Sequence, residues 1–315
     1  MQCWPAGAHG TLHPVPLLSV FINVVFPVFL MAAVGMAFAH FRKASPSTLA
    51  QAVLYVFSPA LTFHSLATTE IPPGDVGLIA LFSLVLLALL YGLAFAGAKL
   101  LRLDRKLEAS YILTVLFMNS GNYGIPVALL AFGQEGMDRA VVLFVVQAVL
   151  GGTVGVFFAS RGTRTVMDAL RAVVKMPMGY AALLGLVVNL TGVTLPPFLE
   201  RTSNILAQAA IPGMLLVLGI QMYQNFRVVQ LRVVSASVIS RLILSVGLAY
   251  VATVLLGIGG LTQKVLIVVS GMPAAVFVTI LATEFDARPD LATSAVLVGT
   301  LASMVTLTVL LTFVT

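Results

Sequence analysis

The chain has 315 residues, 60% of them apolar and only 9% charged, against roughly 45–50% and 25% in soluble domains. A mean hydropathy of +1.08 excludes disorder and a water-soluble globule and points to a polytopic helical membrane protein. One cysteine excludes a disulfide framework and a thiolate-rich metal site.

A spanning helix needs roughly 20 mostly apolar residues. Ten such runs follow one another, at 16–39, 46–66, 75–100, 108–133, 139–160, 177–193, 201–224, 233–258, 262–284 and 290–313. They are continuously apolar, whereas the strands of a membrane barrel alternate every second residue. The first run has no basic segment before it and exceeds the apolar core of a signal peptide.

Basic residues orient the runs. Alternate connections hold Arg42 and Lys43, then Lys99, Arg102, Arg105 and Lys106, then Arg161, Arg164, Arg171 and Lys175, then Arg227 and Arg232, then Arg288. The opposite set, tails included, holds Arg139, Arg201 and Lys264, and Arg241 stands inside the eighth run. This bias predicts cytoplasmic basic loops and both termini on the extracytoplasmic side. The net charge of +6 is thus a topology signal, and the expected surroundings are a lipid bilayer, with no nucleic acid as partner.

Segment 161–176 separates five runs from five, so homologous halves would be inverted repeats, 1–160 and 177–315, joined by a cytoplasmic linker. Leu49-Ala50-Gln51-Ala52 and Leu206-Ala207-Gln208-Ala209 open corresponding runs and are followed by Pro59 and Pro212. The fourth and ninth runs carry paired interruptions, Asn119-Ser120-Gly121-Asn122-Tyr123-Gly124-Ile125-Pro126 and Ser270-Gly271-Met272-Pro273-Ala274. Proline removes an amide donor and clashes with the preceding turn, and glycine lets the backbone unwind. Unwound backbone is tolerated at membrane depth only where protein or a wet cavity supplies partners. Matched breaks in two repeats mark a transporter's midplane site, where new helix N-termini present partial positive charge and free amides to an anion. Asn119 and Asn122 add neutral amides suited to a carboxylate, with helix capping as their plainer role. Ser120, Tyr123 and Ser270 add hydroxyls.

The Asn119–Pro126 run resembles the fourth-helix crossover of the auxin efflux carrier family, which includes the plant PIN carriers and compact bacterial carboxylate carriers. Pro273, eleven residues before the Glu284-Phe285 pair, is similar to the family's ninth-helix pattern. The resemblance implies an all-α membrane protein of ten transmembrane helices in two inverted five-helix repeats, with helices 4 and 9 broken and crossed. It further implies a scaffold of helices 1, 2, 6 and 7, an elevator-like cycle, a homodimer, and a small organic anion as substrate in a bacterial-type inner membrane. Asn119, Ser120, Asn122, Tyr123, Gly124, Pro126, Ser270, Gly271, Pro273 and Ala274 are then the substrate-binding set. The large central loop of the plant carriers is missing, which argues against auxin itself and favours mono- or dicarboxylates such as malonate or malate.

All eleven acidic residues fall in loops or at the ends of the runs, against the buried carboxylate that cation exchange requires. Arg241 and His64 are the titratable exceptions, candidates for charge balance and proton coupling. Arg241 has an alternative as a snorkelling or carbonyl-paired side chain, and His64 as an interfacial one. Gln147, Asn189, Gln208 and Gln221 read as interhelical hydrogen-bond partners, and Gly92, Gly97, Gly151, Gly152 and Gly155 as close-packing positions. No motif calls for a metal, cofactor, phosphate loop or intramembrane protease centre, so an enzyme is not expected. A bile-acid-type sodium symporter and an anion channel are the competing transport readings.

Overall fold

The computed structural model describes residues 17–43, 46–160, 177–224 and 228–314. The expected linker 161–176, with Arg161, Arg164, Arg171 and Lys175, and also Arg227, lie outside the described residues. Described residues are helical throughout, with one isolated antiparallel bridge between Met118 and Ala274. Eleven helices follow in order. They are α1 (Leu17–Arg42), α2 (Ser47–Thr68), α3 (Pro73–Leu101), α4 (Arg105–Leu116), α5 (Ser120–Ala159), α6 (Pro177–Thr191), α7 (Pro197–Gln224), α8 (Leu231–Leu255), α9 (Gly260–Ser270), α10 (Phe277–Glu284) and α11 (Pro289–Val314).

Seven of these are long and apolar enough to cross a membrane, where ten spans were expected. The difference has a physical cause. The fourth and ninth runs are each cut, leaving α4, α9 and α10 with 12, 11 and 8 residues, and the sixth gives α6 with 15, none of which reaches across about 30 Å of hydrocarbon at 1.5 Å per residue. The second piece of the fourth run and the fifth run follow without a gap as α5, two helical segments on either side of a kink at Gly133. That helix turns at Gly133, whose φ of 68° a side-chain-bearing residue rarely adopts. Residues 134–138, expected as a loop, continue as helix. Gln134 hydrogen-bonds Asp138 at 2.9 Å and Arg139 hydrogen-bonds the Glu135 carbonyl at 2.8 Å, both one turn apart.

Four helices widen by one residue over five single turns, at 21–25, 53–57, 120–124, 151–155 and 240–244. At Phe26, for example, the amide reaches back to the Phe21 carbonyl. Such turns admit an extra residue without breaking the helix and often accompany functional positions. Two of the five, at 120–124 and 240–244, meet at the crossover described below.

Packing sorts the helices. α1 lies on α7, α7 on α2, and α2 on α6. The remaining helices, α3, α4, α5, α8, α9, α10 and α11, pack chiefly on one another. The α1–α7 contact is unusually close. A Cβ on Gly219 would lie 1.9 Å from the Ala32 carbonyl oxygen, and one on Gly35 would lie 2.4 Å from the Leu216 carbonyl oxygen. Small residues that let backbones touch are a common device where lipid gives no hydrophobic drive to helix pairing. Of the glycines expected to serve packing, Gly97, Gly151 and Gly155 do, whereas Gly92 faces open space.

Because backbone cannot rotate away as a side chain can, Gly219→Ala should force α1 and α7 apart. A destabilisation of about 1–3 kcal/mol is expected, read as a lower melting temperature of the detergent-solubilised protein. The same change at Gly92 should leave the melting temperature within error of the native value.

Candidate functional site

The two interruptions meet. The Asn119 amide donates to the Pro273 carbonyl at 2.8 Å and the Ala275 amide donates to the Phe117 carbonyl at 2.9 Å. Three residues of each break thus pair as a minimal antiparallel ribbon, 117–119 against 273–275. This is where the unwound backbone finds the partners that hydrocarbon cannot give. The break in the fourth run lies at Phe117–Asn119. Pro126 lies seven residues into α5, directly after the widened turn 120–124, where its missing amide interrupts the helical ladder. Pro273 lies within the second break itself, between Ser270 and Phe277.

Four helix ends converge on this ribbon. α4 and α9 arrive with their C-termini, α5 and α10 leave with their N-termini. At the start of α5 the Asn119 carbonyl accepts from the Gly124 amide at 2.9 Å, and the Ser120 carbonyl accepts from Ile125. The amides of Gly121, Asn122 and Tyr123 are left without a backbone acceptor, as the opening donors of a helix are. Ala274, Val276 and Phe277 are in the same position at α10.

The side chains divide. Asn119 is 5% exposed, and its amide nitrogen is buried without a hydrogen-bond partner. Ser270 is fully buried with its hydroxyl likewise unpartnered. Asn122 is half-buried beside them in sequence. Gly124 packs under Val269, where a Cβ would approach to 2.9 Å, and a Cβ on Gly271 would lie 2.9 Å from Leu310. Ala274 is the bridging residue opposite Met118.

Tyr123 is turned elsewhere. Its hydroxyl shares a 3.0 Å hydrogen bond with Ser303 of α11, and its ring meets Phe29 of α1 edge-on at 5.9 Å. His64 stays on α2, with no hydrogen bond to the crossover.

Arg241 is 1% exposed and does not snorkel. Its Nη1 donates to the Val115 carbonyl at 2.7 Å and lies 3.5 Å from that of Leu116, and its Nη2 donates to the Ser270 carbonyl. Of the two roles open to it, the structure therefore gives it carbonyl partners. The same face of α8 carries Ser237 bonded to Thr114 at 2.8 Å, Ser240 to Tyr111 at 3.2 Å, and Ser245 to the Ser270 carbonyl at 2.8 Å. The spacing of 237, 240, 241 and 245 is a helical stripe, and that was the signal in the sequence for a polar seam between α8 and the two half-helices.

Comparison with known families decides the class. Residues 20–311 match the family described as "Membrane transport protein". The chain belongs to that family. It is the auxin efflux carrier family that the Asn119–Pro126 run resembles. Two similar relatives are archaeal. An uncharacterised transporter of Methanothermobacter thermautotrophicus is 29% identical over 265 residues, covering 83% of this chain and 86% of its own. Another, from Methanocaldococcus jannaschii, is 25% identical over 296 residues, covering 90% and 95%. The chain is therefore a multi-span membrane transporter.

Two cavities bear on where this transporter holds its cargo. One of about 420 Å³ lies between α2, α6 and α7, lined by Pro59, Phe63, Tyr180 and Leu184 among others, and is too apolar for an anion. The other, of about 10 Å³, separates Val276 and Thr279 at the start of α10 from Leu218, Gln221 and Met222 of α7. It has room for roughly one water.

One buried acid was missed. Asp138, expected in a loop, is 6% exposed within α5 and accepts from Ser65 of α2 at 2.5 Å. Beside it Arg139 donates to Thr262 of α9 at 2.9 Å, and Thr262 in turn to Asp75 of α3 at 3.2 Å. Of the expected interhelical amides, Asn189 bonds the Thr69 carbonyl just past the end of α2 at 2.8 Å, whereas Gln208 bonds Asn204 within its own helix.

Since the Tyr123 hydroxyl is engaged away from the crossover, Tyr123→Phe should leave the half-saturating substrate concentration unchanged. It should lose about 1 kcal/mol of stability, the worth of one neutral hydrogen bond, because the Ser303 hydroxyl keeps its own donation to the Thr300 carbonyl. Paired transport and thermal-melt measurements on the variant check this.

Proposed function

We propose that this chain is a secondary carrier of small organic anions, mono- or dicarboxylates of the malonate and malate type, with the carboxylate held at the crossover. The observation that carries the reading is the sorting of polar groups there. Unpaired amides at the starts of α5 and α10, the free amide nitrogen of Asn119 and the free hydroxyl of Ser270 are all able to donate. No carboxylate pairs with this cluster among the described residues. Donors gathered at two helix N-termini form an anion site. Asn119, Ser120, Asn122, Gly124, Gly271, Pro273 and Ala274 supply or shape it.

An inverted-repeat architecture underlies the site in this reading. The packing pattern supports it, because exchanging the halves maps contacts onto contacts. α3–α4 corresponds to α8–α9, α3–α5 to α8–α11, and α4–α11 to α9–α5, each a packed pair. The Leu-Ala-Gln-Ala segments also meet near one another, with Gly213 of α7 against Val53 of α2.

Motion follows from the tightness of the seam. A dicarboxylate does not fit where α10 faces α7 across about 10 Å³, so the crossover body must shift against α1, α2, α6 and α7 to load. That is elevator-like alternating access, in a plasma-type membrane with basic loops inside and both termini outside. A homodimer formed through the stationary helices fits the same scheme.

The test is counterflow. Proteoliposomes loaded with malonate, malate, lactate or an indole carboxylate should take up the labelled counterpart saturably. Asn119→Ala should raise the half-saturating concentration roughly ten- to hundredfold, the equivalent of one hydrogen bond to a charged group. Current without exchange would make the protein a channel, and unchanged kinetics in the variant would remove Asn119 from the site.

Orientation is checked separately in a Cys3→Ser background. Val193→Cys should react with a membrane-impermeant maleimide on intact cells, and Arg105→Cys only after permeabilisation. The reverse pattern would invert the topology.

A further inference from the structure

Arg241 is the one fully buried charged side chain among the described residues. No carboxylate pairs with it there, and its Nε is buried without a partner. An unpaired charge taken out of water carries a penalty of several kcal/mol, so something at the crossover must compensate it. Its partners are carbonyls, the last carbonyls of both half-helices. Val115 and Leu116 end α4, and Ser270 ends α9. Ser245 reinforces the same Ser270 oxygen.

Each helix C-terminus carries roughly half a negative charge, so the two together carry roughly the opposite of one guanidinium. In carriers with broken helices, carbonyl ends of this kind are where a coupling cation is coordinated. From this coincidence of three carbonyls, two helix ends and one unpaired cation, we propose that Arg241 is the resident occupant of a carbonyl-lined cation site. Its guanidinium does permanently what a co-transported cation would otherwise do. The anion therefore binds at the opposite helix ends without a second ion. This rests on the anion-carrier reading for its transport consequence, but the cation site itself stands on geometry alone.

A side chain filling a site leaves a vacancy of its own shape when truncated. Purified Arg241→Ala should melt at a lower temperature than native. Guanidinium at roughly millimolar concentration, well below denaturing levels, should raise that melting temperature saturably, and tetramethylammonium, too bulky and without N–H donors, should not. Native protein should show no such rise. In proteoliposomes, labelled malonate or whichever acid of the panel exchanges should show native counterflow equal in sodium and choline media. In Arg241→Ala exchange should fall at least tenfold and recover with added guanidinium. Arg241→Lys, which keeps the charge, serves if the alanine variant does not fold, and its residual exchange should also be indifferent to sodium.

A folded Arg241→Ala protein whose melting temperature ignores guanidinium overturns the cation site. So does full activity in Arg241→Met, which fills the space without charge, or a sodium requirement in the native or lysine protein. If no acid of the panel exchanges but guanidinium still restores the melting temperature, the anion-carrier reading has failed and the cation site has not.

Discussion

Everything at the centre of this transporter depends on the pairing of Phe117–Asn119 with Pro273–Ala275. Two helices that break in a membrane each expose amides and carbonyls with no water to meet them, at several kcal/mol for each group left alone. Bringing the two breaks together satisfies some of those groups mutually and fixes the geometry of the rest. The half-helices α4 and α9 must then end where they do, and α5 and α10 must begin beside them. Neither break is tenable without the other. Helices α3, α8 and α11 pack around the pair and supply the remaining partners, Ser237, Ser240, Arg241 and Ser245 from α8 and Ser303 from α11.

The crossover also separates charge. Two C-termini meet on one side and two N-termini on the other, so a pair of negative ends and a pair of positive ends lie within one small body. The protein treats them differently. The negative ends receive Arg241 and the Ser245 hydroxyl. The positive ends receive nothing of opposite charge among the described residues, only Asn119 with its amide nitrogen left over. This asymmetry, one half of a quadrupolar arrangement neutralised and the other left open, is what the anion-carrier proposal rests on.

Much of this was legible in the sequence, and the exceptions share a cause. Long apolar runs, basic connections and the paired Gly-Pro interruptions all depend on local chain properties, so the helices, the all-α class and the two breaks could be read from them directly. Asn119 stood out as an amide in an apolar run. What could not be read depended on which element lies opposite. The Arg241 guanidinium looked free to snorkel because the carbonyls it meets are more than 100 residues away in one case and 29 in the other. Tyr123 belonged to the motif by sequence but turns to Ser303, 180 residues on. Asp138 seemed a loop acid because Gly133 signals an end, whereas the helix resumes at once beyond a single left-handed residue. Gly35 and Gly219 passed unremarked because glycine is common in apolar runs, and only the facing backbone shows that they alone permit the α1–α7 approach.

The two kinds of contact found in the molecule suggest how it divides in motion. Backbone-to-backbone packing at Gly35 and Gly219 binds α1 to α7 over shapes that tolerate no sliding, because each Cα sits directly on a carbonyl of the other helix. Between that group and the crossover body the contacts are of another sort. Ser120–Gly124 rests against α7, Phe29 meets Tyr123 edge-on, and Ser65 reaches Asp138 through one hydroxyl. Helices also pack across this seam, but none of the backbone approaches there is as close as those at Gly35 and Gly219. In the elevator-like reading proposed above, displacement falls on that seam, with the crossover donors kept together on one side of it. A carrier needs that property, since its cargo must meet the same donors on both faces of the membrane.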